Sequence, residues 1–409
     1  MAYCIWLALV LVALFTYLIQ ELTWKKKVPP GPRGLPLIGN LHMVGKNIHH
    51  DLHKIAKKYG PIMSMRFGLV PVIVASSPYA AQQFLKNHDL VFASRPYSEV
   101  SRYIFYDQRN LVSSKYGPYW RNMRKLCTLQ LLSNFKIHSF ESMRKQELGI
   151  LVDFLKQHRD VVVDLTEKIS SLSANMSCLM IFGKKYMDED LGLNELVKET
   201  MSIAARPKLG DYIPFLGVFD LQGLSRRMKE LAKPFDEFLE RVIDEHLHKF
   251  SDKNQAKDIV DTLMGIMHSN EAEFEFDHRH VKAILLDLLV ASMDTSSTAV
   301  EWILSEVLRH PDVMKKLQNE MERVVGRKRM VEEMDLESLE YLDMVIKEGL
   351  TIVRLLVAQL VHCFDWELPN GMIPKDVDMT EKFGLVLARA QHLMVIPKSY
   401  RLKFSQNKC

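Results

Sequence analysis

Thirty consecutive residues, His280 to Arg309, contain neither proline nor glycine. As an unbroken helix such a segment is roughly 45 Å long, enough to cross a whole domain. Its first half, "VKAILLDLLVASM", is apolar on nearly every side apart from Lys282 and Asp287, which places it at the centre of a packed fold. A chain with one such rod must surround it with other helices. The segments from Ser139 to Glu348 have the length and the helical period to do so. One of them shows both ends: Pro311 at the start, Val313, Leu317, Met321 and Val324 on one stripe, and Gly326 as the stop. The fold class is therefore mainly α with a small β part. That β part is expected near the N-terminal side, where Ile62–Phe67 and Val72–Ala75, separated by Gly68 and Pro71, read as a hairpin.

The second half of the rod is less uniform. "LLVASMDTSSTAVEW", Leu288 to Trp302, carries two acids, two threonines and three serines, and buried polar groups cost free energy unless they find partners. Two accounts fit. Thr298 and Glu301 match a capping box, so one helix could end near Asp294 and another begin near Thr298. Alternatively, Asp294 and Thr295 line a groove in which an acid and a hydroxyl relay protons through water to a bound ligand.

Charge excludes one class of partner. Lys+Arg number 54 against Asp+Glu 50, a net charge of +4, and Lys25, Lys26 and Lys27 account for most of that excess, so no nucleic acid is expected. The five cysteines (Cys4, Cys127, Cys178, Cys363, Cys409) are scattered and form no C-x-x-C pair, which fits a reducing compartment without disulfides. Ala2–Ile19 is 18 residues without a charge, about 27 Å as a helix and close to the hydrocarbon thickness of the endoplasmic reticulum. Its positive charges follow rather than precede it. Residues 1–24 therefore read as an uncleaved membrane anchor with the bulk of the chain on the cytosolic face. Residues 25–40, with "PPGPRGLP", form a stiff proline-rich connection, and 41–409 the main domain.

"ASMDTSST" resembles the oxygen-activating helix of the haem-thiolate monooxygenases, the cytochrome P-450 family. The anchor, "PPGPRGLPLIGN", "KYGPIMSMRFG", "FASRP", "YGPYWRNMRKLC", "LSEVLRHPDVMKKLQNEM" and "DMTEKFGL" follow in family order, most similar to plant microsomal members. The resemblance implies a cytochrome P-450-like fold that inserts one atom of O₂ into a lipophilic small molecule. It also implies haem as cofactor and electrons from NADPH through a flavoprotein reductase. By the same resemblance Asp294 and Thr295 are the proton-relay pair, with Ser292 where the family commonly has glycine. Trp120 and Arg124 hold a haem propionate, and Arg121 and Lys125 join a basic face toward the reductase. Substrate contacts would come from "YSEVSRYIFYDQRN", "AARPKLGDYIP" and Ala291, and the partners are membrane lipid, the reductase and the substrate.

One family feature is absent. The axial cysteine sits on a glycine- and arginine-rich loop preceded by phenylalanine, and none of the five cysteines has that setting. "YLDMVIKE" looks like the family helix ending in Glu348, whose arginine partner should follow three residues later, where Thr351 stands. "GLTIVRLLVAQLVHCFDW" looks like the helix that follows the cysteine loop, so the segment between the two landmarks is missing and the fold is internally truncated. Arg354 is poorly placed to replace the lost arginine, and His362 is the one local fallback ligand. No metal ligand is assigned. The expectation is an impaired monooxygenase, or an inactive remnant of a damaged gene or mis-spliced transcript. With it go uncovered apolar faces on Leu350–Phe364 and on the long helix, and a last helix fused across Gly349 onto the wrong axis.

Overall fold

The computed structural model describes Val12, Phe15 and residues 28–186, 192–249, 258–269, 274–347 and 351–403. The rest of the anchor, and the Glu348–Leu350 junction, lie outside the described residues. The chain divides into two compact units. The first comprises the described part of Met1–Gln108 with Ser113–Trp120 and Ile203–Lys233; the second comprises Arg109–Val112, Arg121–Ser202 and Pro234–Cys409.

In the first unit, helix α1 (Ile48–Tyr59) covers one face of a two-stranded antiparallel sheet, β1 (Ile62–Phe67) and β2 (Val70–Ala75). Leu52, Ile55, Ala56 and Tyr59 of α1 pack on Met63, Met65, Phe67 and Val74. The hairpin closes through Gly68, whose φ of +59° is a left-handed value that glycine adopts without strain. The sheet thus lies where the alternating sequence predicts it, with Pro71 inside β2. The proline-rich stretch runs along the other side of β1. The Ser64 N–H donates to the Pro30 carbonyl at 2.9 Å, and the Arg66 N–H to Asn40 Oδ1 at 2.8 Å. A Cβ on Gly31 would sit 1.8 Å from the Ser64 carbonyl oxygen, so glycine is required at that approach.

The second unit is built around the predicted rod. Helix α2 (Pro118–Leu126) contributes to both units; then come α3 (Glu141–Gln157), the short β3 (Val163–Asp164), α4 (Leu165–Phe182) and α5 (Leu193–Ala204). They are followed by α6 (Leu224–Lys249), α7 (Ile259–Ser269), α8 (His278–Arg309), α9 (Pro311–Val324), α10 (Glu340–Ile346) and α11 (Thr351–Cys363). Asp277 caps α8 by accepting from the Arg279 and His280 N–H groups. The rod then continues unbroken to Arg309, so the capping-box reading of Thr298 and Glu301 is not what the chain does. Among the described residues α8 is the helix long and apolar enough to cross a membrane, and most of that length is buried inside the protein. Helix α9 begins at Pro311, buries Leu317 and Met321 and stops before Gly326, as its sequence signals predict.

The core of this unit joins Leu148, Leu151 and Leu155 of α3, Ile169 and Met176 of α4, Val300, Leu304 and Val307 of α8, and Leu317 and Met321 of α9 to nearly every side chain of α11. Two expectations are corrected here. Helix α11 is not left uncovered: Val353 and Leu355 to Cys363 are all buried. Nor is it a fused continuation of α10, because α10 ends at Ile346 and Lys347 takes a non-helical φ of 57° and ψ of −128°. Glu348, where the family helix is expected to end, lies outside the described residues. Helix α11 packs against α8 and α9 and is tied to α10 by the Arg354–Asp343 ion pair.

A second β region follows directly. β4 (Phe364–Glu367) leaves α11 without a loop and pairs antiparallel with β7 (Met394–Tyr400), which also pairs with β3; between them β5 (Glu381–Lys382) and β6 (Ala388–Arg389) form a small hairpin. These C-terminal strands were not anticipated. They are short, and Pro397 stands inside β7, which removes the alternating signal that marked the N-terminal hairpin.

Candidate active site

The polar half of α8 satisfies itself. Thr295 Oγ1 donates to the Ala291 carbonyl at 2.6 Å, Ser297 Oγ to the Met293 carbonyl at 3.1 Å, and Ser305 Oγ to the Glu301 carbonyl at 2.7 Å. Hydroxyls bonded one turn back within the helix lose little on burial, so a helix of this composition stays continuous. Glu301 turns to other elements: it accepts from Thr166 Oγ1 at 2.6 Å, with the Arg389 guanidinium 3.7 Å away.

Asp294 and Thr295 are therefore adjacent on one helix but differently placed. Burial pushes the Asp294 carboxyl above its ordinary range, against the pull of the Lys198 ammonium. Thr295 is exposed, and so is Ala291 one turn before it, which gives α8 an open stripe at the predicted site. Ser292 donates to the Leu289 carbonyl at 3.2 Å, and its own carbonyl accepts from Ser173 Oγ of α4 at 3.1 Å.

Trp120 and Arg124 occupy successive turns of α2. Trp120 is half-buried beside Tyr116, with ring centroids 5.6 Å apart, and Arg124 is exposed together with Arg121 and Lys125. One turn of helix thus presents an indole N–H and a guanidinium from positions i and i+4, the spacing at which both can reach one carboxylate. Of the anticipated substrate segments, two meet in the first unit, where the Lys208 ammonium pairs with the Glu99 carboxylate. Burial alone would raise Glu99, but hydrogen bonds from Lys208 and Ser225 outweigh it and hold the carboxyl below its ordinary value.

Sequence reasoning missed Asp287 as a structural acid. It lies buried on α8 and accepts from Asn110 Nδ2 at 2.6 Å, the Leu111 N–H at 2.6 Å and the Val112 N–H at 3.1 Å. Burial raises its carboxyl to about 6 despite those three donors. The available signal was a lone acid in an otherwise apolar run. His246, Asp258 and Asp261 also cluster. His246 donates from Nδ1 to the Val242 carbonyl at 2.7 Å and from Nε2 to Asp258 at 2.9 Å, while Asp258 accepts from the Asp261 N–H. Burial disfavours the imidazolium, but the hydrogen bond and charge of Asp258 outweigh it and raise His246, while Asp258 caps α7 by accepting the Asp261 N–H.

The residues that would have to carry haem iron do not fit it. Cys127, Cys178 and Cys363 are all buried, and burial pushes each thiol up to about 12; Asp287 adds to the effect at Cys127. An axial thiolate has to project into the space that holds the haem, whereas Cys178 and Cys363 lie inside α4 and α11 and Cys127 directly follows α2, each closed in by core side chains. Cys4 and Cys409 lie outside the described residues. His362 is no substitute, because its ring is buried, held low by burial and bonded through Nε2 to the Arg329 carbonyl at 3.2 Å. Arg354, the candidate replacement arginine, is engaged elsewhere, with Asp343 at 2.5 Å and the Leu336 carbonyl at 2.7 Å. Glu348 lies outside the described residues.

Comparison with known proteins agrees with the motif order. The family model of cytochrome P-450 matches residues 29–390. A cytochrome P-450 of Panax ginseng is 38% identical over 480 positions, covering 94% of this chain and 96% of that protein. A flavonoid 3'-monooxygenase of Crocosmia x crocosmiiflora is 32% identical, covering 90% and 92%, and a cytochrome P-450 of Arabidopsis thaliana is 39% identical, covering 84% and 72%. An alignment of 480 positions exceeds the 409 residues of this chain, so at least 71 positions of the ginseng protein have no counterpart here. The match over nearly the whole length establishes that this chain belongs to the cytochrome P-450 family.

Proposed function

We propose that this chain is the scaffold of a haem-dependent monooxygenase for a lipophilic small molecule, and that it does not turn over as it stands. The observation that carries this reading is the setting of the three described cysteines: Cys178 and Cys363 lie inside α4 and α11 and Cys127 directly follows α2, each closed in by core side chains and none on a glycine- and arginine-rich loop. The missing positions of the ginseng alignment support a lost segment, and the two family landmarks that stand side by side in the sequence point to Lys347–Thr351 as its place. Asp294 with Thr295 keeps the positions of the relay pair, and Trp120 with Arg124 those of a propionate clamp. Residues 1–24 anchor the chain in the endoplasmic reticulum membrane, and the exposed Arg121, Arg124 and Lys125 offer a basic face to an NADPH-dependent reductase.

The test is to express the full chain with haem supplied, reduce it and record its spectrum with carbon monoxide. The expected result is no thiolate-type band and no reductant-dependent product. A thiolate-type band would overturn the reading. Sequencing the transcript across Lys347–Thr351 tests the origin of the gap: the expected read encodes Lys347-Glu348-Gly349-Leu350-Thr351 without an insertion, and an in-frame ligand loop there returns the chain to the active members.

A further inference from the structure

We propose that the chain associates with a second copy of itself through the outer edge of β2, pairing Val70–Ala75 antiparallel about a twofold axis at Ile73.

The ladder leaves that edge open. In β1 the Ser64 and Arg66 N–H groups point away from β2, to Pro30 and Asn40. Backbone groups of an antiparallel strand alternate in direction, so Met63, Met65 and Phe67 bond to their partners Val74, Val72 and Val70. In β2 the alternate residues Pro71, Ile73 and Ala75 therefore aim their backbone groups outward. The sheet has two strands, β1 and β2, and no partner for the outward groups of Ile73 or Ala75 is found among the described residues. All three residues are exposed, Ile73 by 43%.

Three features make a second copy the occupant. The free groups are self-complementary: with Ile73 opposite Ile73, the two residues exchange both their hydrogen bonds, and each Ala75 N–H reaches the opposite Pro71 carbonyl. The segment "VPVIVA" carries no charge, so self-pairing opposes no like charges and brings two β-branched side chains together across the axis. Edge strands that resist pairing carry lysine, bulges or several prolines; here only Pro71 does so, at one position. The pairing is closed and isologous, so it yields a dimer rather than a fibre. A six-residue edge falls below the roughly 1,000 Å² of a stable interface, so the dimer is weak and concentration-dependent.

The full chain in detergent is followed by sedimentation velocity across a hundredfold range of concentration. The wild-type chain should shift from monomer to dimer. Ile73→Pro removes an outward N–H that the ladder does not use, and Ile73→Lys adds a charge on the axis; each should weaken association about tenfold or more with unchanged circular dichroism. Ile73→Cys should give a disulfide-linked dimer on mild oxidation, because directly opposed residues of a hydrogen-bonded pair lie about 5.5 Å apart. Val74→Cys, on the α1 face, should not. A wild-type chain that stays monomeric throughout, or an association that Ile73→Pro and Ile73→Lys both leave intact, overturns the proposal.

Discussion

Asn110 donates through Nδ2 to Asp287 at 2.6 Å, and the Leu111 and Val112 N–H groups converge on the other oxygen of the same carboxylate. One buried acid on the central helix thus holds a segment 175 residues distant in sequence. Replacing it by alanine leaves three donors without an acceptor. At about 1–3 kcal/mol for each buried orphan, Asp287→Ala should lose roughly 3 kcal/mol or more in a denaturant titration, and Asp287→Asn, which keeps one acceptor oxygen, distinctly less.

The same residue makes stability depend on pH. Its carboxyl lies at about 6 when folded against 3.8 ordinarily, so the folded chain binds the proton more tightly than the unfolded one. The contribution is fully present below pH 4 and is lost as pH rises through 6, a change of roughly 3 kcal/mol. Asp287→Asn should flatten that part of the pH–stability curve. If the variant follows the wild-type profile between pH 4 and 7, the buried-acid account is wrong.

Thiols held near 12 are chemically silent. Maleimide labelling of the native chain at pH 8, read by mass spectrometry, should leave Cys127, Cys178 and Cys363 unmodified, and denaturant should expose all three. Rapid labelling of Cys363 in the folded chain would mark it as an accessible thiolate and reopen the question of a ligand.

Helix α11 makes its own test of how the shortened chain closes. Leu360 is fully buried among residues of the main core. Leu360→Ala should therefore cost about 2–5 kcal/mol by thermal or chemical unfolding. A cost under about 0.5 kcal/mol is what an uncovered helix face gives, and it would mean that α11 is not seated in the core.

Thr295 provides the contrast. Its hydroxyl is bonded to the Ala291 carbonyl of its own helix and the residue is exposed, so Thr295→Ala should change stability by no more than about 0.5 kcal/mol. Equal unfolding midpoints for variant and wild type are the expected measurement.

Period and punctuation carried much of the architecture: the rod from His280 to Arg309, the Pro311 helix with its Gly326 stop and the Ile62–Ala75 hairpin are all readable because local propensity and burial agree there. The family, too, was legible, because its landmarks are short strings whose order survives the internal loss. Tertiary structure decided the rest. Whether Thr298 starts a helix or continues one depended on Glu301 finding Thr166 and Arg389, residues far away in sequence. Likewise, α11 is covered rather than bare because its apolar side chains meet those of α8 and α9, and Asp287 gained its role only when Asn110 came to meet it. Such outcomes turn on which buried polar group meets which partner, and that is a property of the packed chain rather than of any window along it.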